Sequence, residues 1–299
     1  MPSAQLSASP ETACPTVKAF FDESSSTLSY VVSDPDSKAC AIIDSVLNFD
    51  QASGTTSQEG ADQMIDYIVR NKLELNWILE THVHADHLSA APYIQEHLGG
   101  KQAIGSAITT VQETFGGVFN EGEEFHRDGS QFDQLLNDGD KLKIGKLEVL
   151  VLHTPGHTPA CMTFVIGDAV FVGDTLFMPD GGTARADFPG GDARVLYQSI
   201  QRILDLPAHY RVFVCHDYCP NGRGVEYEST IEQEKKLNIH VGESSTENAF
   251  VQMRETRDAT LGMPQLILPS LQINMRAGHL PPADDSGAIF LKLPVNAFK

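Results

Sequence analysis

The sequence predicts a mixed α and β fold, because strand-like and helix-like segments alternate along its 299 residues. Two apolar runs, residues 28–34 and 39–45, flank the turn sequence DPDSK and predict a β-hairpin. Residues 55–71 carry apolar side chains at helical spacing. The apolar run at residues 76–81 has the polar boundaries of a buried strand, and a helix-like segment that ends in glycine follows it.

The middle of the chain is rich in predicted strands. Residues 140–156 and 161–177 each predict two strands, separated at a glycine. Residues 193–207 form an amphipathic pattern that stops near a proline, which predicts a helix. Residues 210–218 predict one more buried strand.

No linker-like stretch divides the chain, which favours one domain over residues 17–299. We expect residues 1–16 to be a flexible N-terminus. Residues 219–299 contain two helix-start patterns and then a segment rich in Pro and Gly, so we expect C-terminal helices and a wrapping tail there.

Composition excludes several classes of partner. The net charge of −19 argues against nucleic acid and against an anionic membrane surface, since both require a basic face. No apolar stretch reaches the roughly 18 residues of a membrane span, and the N-terminal residues lack the pattern of a secretory signal. We therefore expect a cytoplasmic protein. Its five cysteines are odd in number and the chain is large, so we do not expect a disulfide framework.

A cluster of metal-ligand side chains follows the predicted strand at residues 76–81. The sequence THVHADH places His82, His84, Asp86 and His87 within six residues. Helix-capping or surface roles are the plain alternative, but they would require four coincidences in one short loop. The cluster therefore predicts a metal site.

Three further ligand-type residues stand where other predicted strands end, which is where open sheets place their ligands. They are His153, Asp174 and His216. His157 is close to His153 in sequence, and we expect it to orient a ligand or support the turn rather than to bind metal.

With these residues the chain resembles the metallo-β-lactamase superfamily. The resemblance implies a four-layer αββα sandwich of the α+β class, with the metal site at one edge of the two sheets. It also implies two metal sites that share a bridging Asp174. The first would use His82, His84 and His153, and the second would use Asp86, His87 and His216.

The flanking sequences resemble the persulfide dioxygenase branch, which is related to glyoxalase II. They are GDTLFMPDGGTARADF after residue 172, CHDY at residues 215–218, and the tail at residues 257–278. This branch implies one Fe(II) per chain on His82, His153 and Asp174, with His84, Asp86, His87 and His216 around it or at second-metal positions. It also implies glutathione persulfide and O2 as substrates, and a homodimer.

A chain of such negative charge needs local cations to hold glutathione, which carries two carboxylates. Arg185 is the first candidate, Arg276 the second, and Tyr218 could form a hydrogen-bonding wall. The alternative for Arg185 is a structural pair with Asp187 or Asp192.

Two other functions stay open. One is a dinuclear hydrolase of glutathione thioesters, which shares the fold and the ligands. The other is a non-catalytic metal- or redox-sensing module that uses Cys215 and Cys219. A chain that has lost catalysis should also have lost metal ligands, and this chain has lost none.

Overall fold

Strands and helices alternate in the computed structural model, which describes residues 14–243 and 245–297. The strands are β1 (Thr16–Asp22), β2 (Thr27–Ser33), β3 (Ala39–Ile43), β4 (Val46–Asp50), β5 (Thr55–Ser57), β6 (Glu74–Leu79), β7 (Leu88–Ser89), β8 (Lys101–Gly105), β9 (Gln134–Leu136), β10 (Lys141–Ile144), β11 (Leu147–His153), β12 (Met162–Ile166), β13 (Ala169–Phe171), β14 (Arg211–Phe213) and β15 (Glu228–Thr230). The helices are α1 (Glu59–Arg70), α2 (Ala91–Leu98), α3 (Ile108–Val118), α4 (Ala193–Leu204), α5 (Ile231–Leu237), α6 (Glu247–Asp258) and α7 (Ile267–Asn274).

Two six-stranded sheets organise the fold, with the strand orders β1-β2-β3-β6-β8-β9 and β10-β11-β12-β13-β14-β15. The predicted hairpin is confirmed, because β2 and β3 pair antiparallel with Tyr30 opposite Ile43. From β3 onward the first sheet is parallel. The second sheet is antiparallel except where β13 pairs parallel with β14. Parallel neighbours end at the same edge, so this topology brings loop residues together.

Side-chain alternation in the first sheet creates two different cores. Tyr30 and Val32 of β2 point to one face and share a buried cluster with Phe164 of the second sheet. Val31 points to the other face, where it packs with Met64 of α1 and with other residues of α1 and α2. A strand that is buried on both faces needs a covering layer on each side. The first half of the predicted αββα sandwich is therefore confirmed.

Helices also cover the second sheet. All five positions of β12 are buried, and Leu196, Ile200 and Ile203 of α4 belong to the same cluster. The predicted helix at residues 193–207 is confirmed as α4, with Asp192 as the N-cap that accepts two backbone N–H bonds. The four-layer arrangement is thus complete. No helix within the described residues is long and apolar enough to cross a membrane.

The C-terminal part contains α5, α6 and α7. The first two pack beside α4, and α7 packs in a third cluster with α3. Residues 281–297 form neither helix nor strand. The predicted flexible N-terminus at residues 1–16 falls mostly on residues 1–13, which lie outside the described residues. Thr16 already pairs with Ser33 in β1.

A buried carboxyl group anchors α5 to the second sheet. Glu234 is fully buried, and it contacts the Ser229 hydroxyl of β15 and accepts a 2.8 Å bond from the Asn238 side chain. Burial raises the pKa of Glu234 from 4.5 to about 7, and its two hydrogen bonds only partly oppose this. The folded state therefore favours the protonated, neutral form of Glu234.

We expect Glu234→Gln to flatten the pH dependence of folding stability. Because the folded-state pKa is raised, the stabilisation is fully present below about pH 4.5 and is lost as pH rises through 7. This rise in the pKa of Glu234 corresponds to roughly 3 kcal/mol in the free energy of unfolding. Urea unfolding of both proteins between pH 4.5 and 8 measures it.

Glu232→Gln is the matched control, since Glu232 lies exposed on the same helix and pairs with Lys236. It should keep the wild-type slope between pH 4.5 and 8. An unchanged slope in Glu234→Gln would contradict this account of the buried acid.

Candidate metal centre

Asp44 organises the loop that carries the histidine cluster. It follows β3 with a left-handed backbone (φ 52°), and its buried carboxylate accepts the Thr81 N–H at 2.7 Å and the Thr81 hydroxyl at 2.9 Å. Its Oδ1 lies 3.0 Å from Nε2 of His84. Burial alone would raise the pKa of Asp44, but His84 and Thr81 lower it. A buried carboxylate therefore fixes the start of the loop.

The ligand-type residues converge because three of the strands that carry them end at one edge. His82 follows β6, Asp174 follows β13 and His216 follows β14. The two sheets are joined at this edge, where the Leu28 N–H donates to the Cys215 carbonyl at 2.7 Å. Of the three residues that the strand-end argument selected, the structure brings Asp174 and His216 to the histidine cluster, whereas His153 lies apart from it.

The first metal-type group is His82, His157 and Asp174. One ligand atom from each lies within 4.8 Å of the other two, and all three residues are buried. Nε2 of His157 is 3.6 Å from Oδ2 of Asp174, and the two imidazole rings are 5.2 Å apart between centroids. Two imidazoles and one carboxylate can together hold a divalent metal ion.

Both histidines of this group have one nitrogen anchored. Nδ1 of His157 donates to the Arg185 carbonyl at 2.8 Å, which leaves the Nε2 lone pair facing Asp174. Nδ1 of His82 lies 3.0 Å from the Thr81 hydroxyl. Burial, together with neighbouring histidines, holds the pKa of His82 well below its usual value. His82 is therefore a neutral imidazole, the form that binds metal.

The structure brings His157, and not the predicted third ligand His153, into the group with His82 and Asp174. β11 stays paired with β12 as far as His153, which lies opposite Met162, and the His153 Nε2 bonds to the Pro159 carbonyl at 2.8 Å. The chain must first turn through Gly156 (φ 135°), where an added Cβ would lie 2.3 Å from the backbone of Leu196. His153 therefore supports the loop, and His157 reaches the centre.

The second metal-type group is His84, Asp86 and His87, with His216 beside it. Nδ1 of His87 is 3.2 Å from Oδ2 of Asp86, and Nε2 of His216 is 3.5 Å from the same oxygen. Burial alone would lower the pKa of His216, but Asp174, Tyr218 and Asp86 raise it well above its usual value. These residues surround the first group and link to it through Asp174.

Several buried polar atoms in this centre have no hydrogen-bond partner among the residues that the structure describes, which is rare in a folded protein. His216 Nε2 and Asp174 Oδ1 lie 3.3 Å apart but lack hydrogen-bond geometry. The unpartnered atoms are Nε2 of His82, Nδ1 of His84, Nε2 of His87, Oδ1 of Asp174 and Nε2 of His216. Leaving such atoms unsatisfied costs about 1–3 kcal/mol each. Their ligand chemistry and their clustering fit a metal ion that would satisfy them.

A cleft of about 730 Å³ opens onto the centre. Its inner wall includes Asp86, His157, Asp174 and His216. Its outer wall is formed by loops at residues 24–26 and 49–52 and by residues 261–266 after α6. This volume is within the usual range for small-molecule sites.

Two of the predicted substrate-binding residues line this cleft. Tyr218 is 62% exposed and stacks on the His216 ring at an interplanar angle of 12°. Arg185 also lines the cleft, but its Nε and Nη2 bond to both carboxylate oxygens of Asp187 at 2.6 and 2.7 Å. Its Nη1 donates to the Gly262 carbonyl. The charge of Arg185 is thus compensated, as the structural alternative predicted.

Arg276, the third predicted substrate-binding residue, lies outside the cleft wall, so this prediction is corrected. It is buried beside α7, where its Nη2 is 2.8 Å from Glu121 and its guanidinium lies over the Phe125 ring. Glu121 is 155 positions away in sequence, so no local pattern identifies it as the partner.

Sequence reasoning missed two residues of the centre. Asp44 ends the apolar run ACAII and could have been found by the strand-end argument that found Asp174. Arg257 of α6 lines the cleft and is exposed, and within the described ranges no carboxylate oxygen lies within 4 Å of its guanidinium. Its neighbour Arg254 is buried and paired with Asp258. Arg257 therefore contributes an uncompensated positive charge to the cleft.

Comparison with known proteins places this centre in a family. Residues 24–216 match the model of the metallo-beta-lactamase superfamily. The chain is 54% identical to a probable metallo-hydrolase of Burkholderia pseudomallei, over 94% of this chain and 99% of the relative. It is 49% identical to glyoxylase B2 of Dictyostelium discoideum, over 95% and 98%.

Persulfide dioxygenases are also similar. The mitochondrial persulfide dioxygenase ETHE1 of Mus musculus is 30% identical over 89% of this chain and 91% of the relative. The crystal structure of ETHE1 from Myxococcus xanthus superposes with a TM-score of 0.71 at 28% identity, over 88% of this chain and all of that one. The four-layer fold, the ligand cluster and these matches together show that the chain belongs to the metallo-β-lactamase superfamily, with the persulfide dioxygenases among its relatives.

Proposed function

We propose that this protein is a persulfide dioxygenase, which oxidises glutathione persulfide with O2 to sulfite and glutathione at one non-haem Fe(II). The observation that carries the proposal is the group His82, His157 and Asp174. Two histidines and one carboxylate are the ligand set of non-haem Fe(II) oxygenases, and they leave positions open for two substrates. Sulfite would take two oxygen atoms from O2 and the third from water.

Bound iron would supply the redox chemistry that O2 needs, and the chain supplies ligand orientation and binding. The Arg185 carbonyl holds the His157 ring with Nε2 toward Asp174. His216 faces the other oxygen of Asp174, so both carboxylate oxygens have a histidine neighbour. Asp86 and Tyr218 line the approach from the cleft. A substrate sulfur that enters the cleft would meet the ligand group directly.

The charge of Arg257 supports the proposal that the substrate is an anion such as glutathione persulfide. The other two cleft arginines, Arg185 and Arg254, are each compensated by a carboxylate, whereas Arg257 is not. In a chain with a net charge of −19, an uncompensated guanidinium at the cleft is a local attraction for carboxylate. We assign the carboxylate-binding role to Arg257 instead of Arg185.

The comparisons support two activities. The similarity to persulfide dioxygenases extends over most of the chain and supports iron and O2. The higher identity to a probable metallo-hydrolase and a glyoxylase supports a second candidate, a dinuclear hydrolase of glutathione thioesters. The unpartnered nitrogens of His84, His87 and His216 favour this candidate, because they could hold a second metal.

Metal analysis and O2 uptake test the proposed function. Protein purified without oxygen should contain about one iron per chain, and it should consume O2 and release sulfite when glutathione persulfide is added. Two metals per chain, no O2 uptake and turnover of a glutathione thioester would contradict the dioxygenase proposal and support the hydrolase.

His157→Ala should lose both the iron and the activity, because it removes one of three ligands. His153→Ala is the matched control, since it removes an imidazole four residues away that bonds to the Pro159 carbonyl. We expect His153→Ala to keep about one iron per chain and at least a tenth of the turnover. Iron content by mass spectrometry and O2 uptake measure both variants, and the reverse pattern would restore His153 as the ligand.

Arg257→Gln should raise the KM for glutathione persulfide about three- to tenfold and leave kcat within about twofold. The loss of one charge-assisted hydrogen bond to a carboxylate is the reason. Arg194→Gln is the control, because Arg194 is exposed on α4 and pairs with Glu247, outside the cleft wall. Equal KM values in the two variants would remove Arg257 from substrate binding.

A further inference from the structure

A second, much smaller cavity adjoins the cleft at the metal-ligand group. Its volume is about 20 Å³, and it shares Ala85, His157 and Phe188 with the wall of the large cleft. The rest of its wall is mostly apolar and includes Val111 of α3 and Leu271 of α7. His157 is therefore part of the wall of both the open cleft and the apolar cavity.

The polar atoms in this wall already have partners. Nδ1 of His157 bonds to the Arg185 carbonyl, and Nε2 faces Asp174. The Thr158 hydroxyl lies 3.0 Å from Sγ of Cys161, and the Thr158 N–H donates to the same sulfur. A buried water needs two to four polar partners, and apolar cavities stay dry. The side chains of the wall give a water molecule no such set of partners.

The size of the cavity limits its occupant. A volume of about 20 Å³ is close to the space that a single water-sized molecule needs. A tripeptide persulfide requires a site of several hundred Å³, which the cleft provides and this cavity does not. The cavity therefore has room only for a small molecule of two or three atoms, and its wall favours an apolar one.

We infer that this cavity holds O2 beside His157, so that the gas and the persulfide occupy separate spaces next to the metal-ligand group. The inference rests on the proposed function, which makes O2 a substrate. O2 is apolar and diatomic, so it matches both the dry wall and the small volume. The organic substrate stays in the cleft, and neither substrate has to pass the other.

Xenon under pressure tests the cavity directly, since it binds dry apolar cavities and does not depend on turnover. Crystals of the wild-type protein should show xenon next to Val111 and Leu271. The plugging variant is Val111→Phe, and its control is Val118→Phe. Both valines lie on α3 and pack in the same apolar cluster, but only Val111 lines the cavity.

We expect Val111→Phe to lose the xenon site and to raise the KM for O2 at least threefold, with an unchanged KM for glutathione persulfide. Val118→Phe should keep the xenon site and the wild-type KM for O2. Ordered water in the wild-type cavity, or no xenon there, overturns the inference without any variant. An unchanged KM for O2 in Val111→Phe overturns it as well.

The two proposals fail in different ways. If the wild-type protein consumes no O2, then the dioxygenase is wrong and the role of the cavity fails with it. If the wild-type protein consumes O2 but plugging has no effect, then the dioxygenase stands and only the separate route for O2 is wrong.

Discussion

The centre depends on one buried carboxylate that belongs to neither metal-type group of the cleft wall. Asp44 accepts hydrogen bonds from the backbone and the hydroxyl of Thr81, so it fixes the residue directly before His82. The same carboxylate contacts Nε2 of His84, which turns Nδ1 of that ring toward the centre. A negative charge inside a protein is tolerated only with such partners. Here those partners belong to the loop that carries the ligand-type side chains, so hydrogen bonds within the protein help to fix the position of this loop.

Charge is distributed unevenly around this loop. The inner cleft combines carboxylates with buried histidines, whereas Arg185 and Arg254 of the cleft wall are compensated by Asp187 and Asp258. A compensated arginine holds loops together but attracts an anion weakly, because its neighbour carboxylate repels the anion. Arg185 and Arg254 therefore hold the cleft wall together, whereas Arg257 is available to a ligand. The neighbouring residues Arg254 and Arg257 of α6 illustrate the division: one is buried in an ion pair and the other is exposed to the cleft.

Much of the fold could be predicted from the sequence, because apolar periodicity and turn residues are local signals. The β2–β3 hairpin and helix α4 follow from them, and so does the position of Asp174 at the end of a strand. The place of His157 in the ligand-type group could not be predicted in this way. Two histidines flank the same Pro-Gly turn, and strand periodicity favours His153, whereas the path of the turn across α4 selects His157. Arg276 was misplaced for a similar reason, since its partner Glu121 is distant in sequence and near only in the fold.

The unpartnered nitrogens and oxygen at the centre have a consequence for the protein in the cell. A metal ion that satisfies them binds the folded chain and not the unfolded one, so it shifts the folding equilibrium by mass action. A tenfold excess of free metal over its dissociation constant contributes about 1.4 kcal/mol, which lowers the unfolded fraction roughly tenfold. Proteolysis of this protein would then follow metal supply. Its abundance would report the metal status of the cell even where its transcription is constant.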